Sequence, residues 1–245
     1  NTGRVRIYRY EANTDWVLLG SPIVGEAKGD FLGSGLAIND TGSRVAIGAR
    51  ANDSLALNGG QVKVYEFSDQ WVQLGSDLEE FVSPNDLLGF GVSMNSAGDV
   101  IAAAAPQGTP KGELSGYVRV YRYTSEGEWS MSFIDGDKSF DQQSSEGRHI
   151  DISGDGNRII IGASGSDSNG DMSGTTKIFN FNPSGNNWIL VGEEILGESA
   201  KDRGGFSTAI TSDGNKVVIG ALCNDGDTGN NVDCRGHARV YEYLE

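Results

Sequence analysis

Two short stretches concentrate oxygen ligands, Asp167-Ser-Asn-Gly-Asp171 and Asn224-Asp-Gly-Asp227. The chemistry they could do is calcium binding. Ca²⁺ takes roughly six to eight oxygens, and each stretch offers only three or four side chains. Asn, Asp and Gly also gather in solvated turns, because they bond their own backbone and tolerate positive φ. We read both stretches as turns, assign no metal ligand and no cofactor, and expect calcium to matter little.

The catalytic inventory is thin. His149 and His237 are the only histidines; one lies on a strand start and the other on a repeated strand, which suits structural roles. Carboxylate pairs such as Asp135 with Asp137, or Glu193 with Glu194, could supply an acid and a base. Such pairs recur along the acidic loops, and spacing singles none of them out. No serine nucleophile elbow or phosphate loop is present. The expectation is a protein without catalytic residues. Cys223 and Cys234 bracket the one loop that is longer than its counterparts. A disulfide there fits two strand ends that lie close together, and implies an oxidising compartment; free thiols or a soft-metal pair are the alternatives. The sequons Asn39-Asp-Thr41 and Asn52-Asp-Ser54 agree with secretion.

These residues sit on a repeat. Ala37 to Ala49 (AINDTGSRVAIGA), Ser93 to Ala105, Asp151 to Ala163 and Ala209 to Ala221 are four versions of one segment. Their turn residues Gly42, Gly98, Gly156 and Gly214 lie 56 or 58 residues apart. Each version reads as two strands joined by a tight turn whose glycine takes positive φ. The second strand, as in Val217-Val-Ile219, is apolar without alternation and so is covered on both faces. It closes on Gly-Ala or Ala-Ala, small residues that suit a close approach of neighbouring sheets. The predicted hairpins span 31–49, 87–105, 145–163 and 203–221.

A second element recurs five times: Gly3 to Tyr10, Gly60 to Phe67, Gly116 to Tyr123, Gly174 to Phe181 and Gly236 to Tyr243. It alternates strictly. One face carries valine and isoleucine; the other carries Arg6, Lys63, Arg119, Lys177 or Arg239, followed by two aromatics. Buried basic groups need partners, so these five are expected to pair with carboxylates or carbonyls, not to form a ligand ring. A strand opened by Trp16, Trp71, Trp129 or Trp188 follows. One tryptophan per unit at a fixed position reads as core, although a sugar platform is the alternative.

Four strands per unit of about 56–58 residues make an all-β fold, a β-propeller of four-stranded blades, as a single domain or segment over 1–245. The strand starts Leu32-Gly-Ser-Gly-Leu-Ala-Ile38 and Gly204-Gly-Phe-Ser-Thr-Ala-Ile210, with Ala105-Pro106, resemble the FG-GAP repeat of integrin α-chain propellers. That resemblance implies an extracellular binding or adhesion module with a protein or glycan partner at the rim. The family's calcium turn is not carried over, because turns such as Thr211-Ser-Asp-Gly-Asn215 are too short to wrap an ion. The alternatives are a glycan-binding or polysaccharide-acting enzyme on the same scaffold, and a structural segment of a surface assembly.

With 19 basic and 34 acidic residues the net charge is −15, which argues against nucleic acid or an anionic membrane as partner. No apolar run approaches a membrane span, and a secreted or cell-surface setting is expected. Five copies of the basic-aromatic strand stand against four hairpins. The chain is therefore expected to belong to a larger propeller, of the seven-bladed kind that the resemblance implies. Missing blades or a neighbouring chain would then cover both ends.

Overall fold

The computed structural model describes residues 2–12, 14–111, 114–136, 150–226 and 234–243. His149, Asp137 and Asp227 lie outside the described residues, as does the strand start at 146–147. The fold is an all-β propeller, with twenty strands among the described residues.

The first blade holds two ladders. β1 (Arg4–Val5) pairs with β4 (Ile23–Val24), and β2 (Tyr8–Glu11) pairs with β3 (Asp15–Leu18). The second blade runs β5 (Leu32–Ile38), β6 (Arg44–Ala49), β7 (Gln61–Phe67), β8 (Trp71–Gln73). The third runs β9 (Gly91–Met94), β10 (Val100–Ala105), β11 (Tyr117–Tyr123), β12 (Trp129–Asp135). The fourth runs β13 (Ile150–Ile152), β14 (Arg158–Ala163), β15 (Thr175–Asn182), β16 (Asn187–Leu190), with β17 (Ile195–Leu196) also on β15. The fifth shows three strands among the described residues, β18 (Gly204–Ile210), β19 (Lys216–Ala221) and β20 (His237–Glu242). All ladders are antiparallel. Strands β5, β9, β13 and β18 contact one another in succession, so the first strand of each of these blades stands nearest the common axis.

The turns follow from side-chain chemistry. Gly42, Gly98, Gly156 and Gly214 all take φ near +70°. Three residues before each glycine a short polar side chain closes the loop. Asn39 Oδ1, Asn95 Oδ1, Ser153 Oγ and Thr211 Oγ1 each accept a backbone N–H from the residue that opens the returning strand. The turns are also chained to each other. Asp40 N donates to Ser96 O, Ser96 N to Gly154 O, and Gly154 N to Ser212 O, one bond per junction between blades.

The core lies between blades. The valine face of one blade packs on the basic-aromatic face of the next: Val5, Ile7 and Ile23 meet Val45, Ile47, Tyr65 and Trp71. Ala46, Val62 and Val64 meet Ile101, Ala103, Tyr121 and Trp129. Val118, Val120 and Ile134 meet Ile159, Ile161, Phe179 and Trp188. Ile160 and Ile178 meet Val217, Ile219 and Tyr241. The tryptophan indoles reinforce three of these junctions by donating to the preceding blade. Trp71 Nε1 reaches Leu19 O at 2.8 Å, Trp129 Nε1 reaches Leu74 O at 3.0 Å, and Trp188 Nε1 reaches Ser132 Oγ at 3.0 Å. Trp16, on the first blade, is exposed.

Small residues at the strand ends answer to this packing. A Cβ on Gly48 would overlap the carbonyl oxygen of Gly89, and one on Gly162 would overlap that of Gly205. Backbone meets backbone there, and neither neighbour has a side chain that could move aside.

Candidate functional site at the propeller rim

One end of the propeller gathers the starts of first strands, the ends of second strands and the starts of third strands. Two tight segments lie side by side in this rim, joined by parallel bridges at Gly3–Leu32, Gly60–Leu88 and Gly174–Gly204. Phe31, Leu87 and Arg203 hold positive φ of 56°, 61° and 56° at the same point of each unit, a strained conformation for residues with a Cβ. The residue before each is a buried aspartate. Asp30 Oδ2 accepts from Ala27 N and Asn52 Nδ2. Asp86 Oδ2 accepts from Ser83 N and the Tyr117 hydroxyl, each at 2.7 Å. Asp202 Oδ2 accepts from Ser199 N and Asn224 Nδ2, each at 2.9 Å. These carboxylates hold the rim. Burial, together with the Asp86 bond, pushes the Tyr117 phenol far above its ordinary range and keeps it a donor.

The basic residues of the third strands lie beside this rim. Lys63 pairs with Glu26 and Asp77, Arg119 with Asp135, Lys177 with Glu194, and Arg239 with Glu198. Arg6 is exposed and has no ion pair among the described residues. For Lys63, burial pulls the ammonium down, but the Glu26 bond and the Asp77 charge together outweigh it and raise its pKa. Glu198 receives Arg239 and Asn224 Nδ2, with His237 Nδ1 at 3.6 Å. The Arg239 bond holds the Glu198 carboxyl below its usual range. A group held ionised this way is a clamp between the fourth and fifth blades, ill suited to donating protons at neutral pH. Because its folded pKa is depressed, Glu198 stabilises above its unfolded value and loses that contribution as pH falls through the folded value. Glu198→Gln is therefore expected to lower Tm at pH 7, and the gap to the parent protein should close on acidification below about pH 4. The effect is modest because the carboxylate is half exposed.

The rim also holds a cavity of about 380 Å³ lined by Gly3, Phe31, Leu32, Gly33, Ser34, Arg50 and Phe90. Arg50 spans it, with its guanidinium 5.1 Å from the Phe31 ring centroid and 5.3 Å from that of Phe90. Its backbone N–H donates to Ser34 Oγ, which donates to Gly89 O, so the residue is anchored across two blades. A guanidinium between ring faces keeps its charge and offers a planar fork of donors to a ligand oxygen. Arg50 stands where the other units have Pro106, Ser164 and Leu222, a position at which no two units agree and which therefore gave no sequence signal. Asp151 is a departure from the repeat, replacing Ala37, Ser93 and Ala209. It accepts from Ser93 Oγ and Ile210 N and so ties three inner strands together.

The two oxygen-rich stretches are engaged locally. Asp167 Oδ1 accepts Met172 N, Asn169 Nδ2 donates to Gly197 O and Glu198 O, and Asn224 Oδ1 accepts Gly226 N. Among the described residues, no group of three or more His, Cys, Asp or Glu is placed to hold a metal. Melting curves in chelator and in millimolar Ca²⁺ are expected to coincide within a few degrees. Cys223 and Cys234 are joined in a disulfide.

No family model matches the chain, and no curated protein matches it in sequence. Solved structures do. A Bacteroides uniformis protein with a provisional 6-phosphogluconolactonase assignment aligns over 98% of this chain and 60% of its own, at TM-score 0.58 and 13% identity. A Bacteroides fragilis counterpart aligns over 89% and 57%, at 0.57 and 14%. The periplasmic gluconolactonase of Pseudomonas aeruginosa aligns over 98% and 64%, at 0.55 and 11%. The chain thus spans about three fifths of the length of these proteins, and likeness at this identity shows the fold.

These neighbours correct the resemblance to integrin-type FG-GAP repeats: the propellers that align along the chain are lactonase-like. Gly205, one of the small residues behind that resemblance, is set by its close contact with Gly162, as Gly89 is by Gly48, a packing need of the scaffold. The adhesion reading rested on the resemblance and falls with it. The expectation of a non-enzymatic protein is overturned too, since the aligned propellers are named as enzymes.

Proposed function

We propose that the chain is part of an exported propeller hydrolase that opens neutral sugar lactones. The observation that carries this reading is Arg50, a cation lying over two aromatic rings in a rim cavity of small-molecule size. The overall likeness to gluconolactonase propellers supports it. The disulfide and the periplasmic origin of one neighbour support export.

In lactone hydrolysis water adds to the ring carbonyl, charge gathers on its oxygen, and the ring C–O bond breaks to leave a hydroxy acid. Arg50 is placed to meet that oxygen, where a fixed donor is worth most. Phe31 and Phe90 would border the C–H groups of a sugar ring held against Arg50. The net charge of −15 disfavours a phosphorylated substrate and favours release of the anionic product. The test is acid release on a pH-stat, corrected for spontaneous opening, with gluconolactone and its 6-phosphate. Acceleration of the neutral lactone that drops about a hundredfold in Arg50→Met is expected. No acceleration with either substrate, or an unaffected Arg50→Met, overturns the reading.

A further inference from the structure

The second blade departs from the repeat at three rim positions, each time to an apolar side chain. Loop 51–60 and its counterparts 107–116 and 165–174 close on the equivalent glycines Gly60, Gly116 and Gly174. Counted back from these, Leu57 stands where the other loops have Glu113 and Asp171, and Leu55 where they have Lys111 and Asn169. The geometry agrees: Asn85 N donates to Leu57 O as Lys201 N donates to Asp171 O. In the loop after the fourth strand, where the first and fourth blades carry the clamps Glu26 and Glu198, the second carries Phe81. Phe81 also holds a positive φ of 60°, which those glutamates do not share and which is strained for a bulky residue. Leu55, Leu57 and Phe81 are 60%, 62% and 79% exposed. Their loops lie against each other. Ser54 Oγ donates to Glu79 Oε1, Asn58 Nδ2 donates to Asn85 Oδ1, and a Cβ on Gly59 would touch Val82. The second blade has blades of the same chain packed on both its faces, so this exposure belongs to the interior of the repeat.

The surroundings are acidic. From 51 to 110 the chain has eight acidic residues and a single basic one, Lys63, which is buried and paired with Glu26 and Asp77. Asp53, Glu79 and Glu80 stand beside the apolar trio in the same two loops. Apolar side chains grouped on a surface and rimmed by charge mark a place where something docks. We propose that this face takes a basic, leucine-rich segment of a partner protein. Its apolar side chains would cover Leu55, Leu57 and Phe81, and its lysines or arginines would meet Asp53, Glu79 and Glu80. Charge decides the occupant: a second copy would bring the same acids against themselves, and an anionic membrane would be repelled.

The test is fluorescence anisotropy of a labelled synthetic peptide, leucine on one helical face and lysine on the other, titrated with the chain. A peptide with serine in place of every leucine controls for bulk attraction to a chain of net charge −15. Phe81→Ser and Leu57→Ser change exposed side chains, so neither should unfold the protein, and circular dichroism checks this. The leucine–lysine peptide should bind, and each variant should weaken it about tenfold. Ile189→Ser, at an exposed apolar position of the fourth blade, should leave binding unchanged. Added salt should weaken it. Absence of binding, equal binding of the serine peptide, or binding unaffected by Phe81→Ser overturns the proposal. So does self-association of the chain, or attachment to phosphatidylcholine vesicles, that Phe81→Ser abolishes, since a second copy or a lipid surface would then be what covers this face.

Discussion

Gly162→Ala is expected to cost about 3 kcal/mol, at the upper end of the range for overpacking, because the added methyl group meets the Gly205 carbonyl of the next blade. For a chain of this size that is a fall in Tm of roughly 6–12 °C. Gly220→Ala is the internal control. Gly220 holds the same place in the fifth blade, but its new methyl would meet only Ser207 Oγ, which can rotate away. Thermal melts of the two variants should therefore separate clearly. Equal losses would mean that the glycine is needed for its backbone conformation and not for the approach of a neighbouring blade.

Asp86→Ala should be comparably damaging. It strips the acceptor from the Tyr117 hydroxyl, in a residue 2% exposed, and from Ser83 N–H, leaving two donors unsatisfied where water has little access. An orphaned buried donor costs about 1–3 kcal/mol, and more where the lost acceptor is charged, so about 3 kcal/mol is expected from denaturant melts. Tyr117→Phe removes the matching donor while Asp86 keeps Ser83 N–H, and should cost nearer 1 kcal/mol. The double variant should be less destabilised than the two losses added together, since the hydroxyl that Asp86→Ala orphans is then absent. Strict additivity would show that the two groups do not depend on each other.

The propeller was legible in the sequence because its turns require glycine at positive φ and its strands alternate, and both requirements recur with the repeat. The partners of Lys63, Arg119, Lys177 and Arg239 were foreseen as a class, since a buried cation demands one. The exposure of Trp16 and Arg6 was not: their type and spacing match Trp129 and Arg119, which are covered, but no described blade lies over them. The Arg50 cavity was invisible for the opposite reason. A search for what recurs passes over a position at which every unit differs, and Phe31 and Phe90 come together with Arg50 only when two blades meet. Asp30, Asp86 and Asp202 read as acidic loop residues, because their role depends on the strained residue that follows each.

Because the covering of each blade comes from its neighbours, protection should fade from the middle of the chain outward. Every residue of β10, Val100 to Ala105, is buried, whereas β2 is exposed at three of its four positions and β20 alternates between half-buried and exposed. In a stack whose stability is a sum over nearest neighbours, loss of structure begins where a neighbour is absent. Amide hydrogens of β10 and β11 should then exchange only through global opening, those of β2 and β20 through fraying, with the second and fourth blades between. The same gradient read backwards gives an expected order of assembly: the second to fourth blades, each with two covered faces, should gain more from contact than they lose in chain entropy before the end blades do.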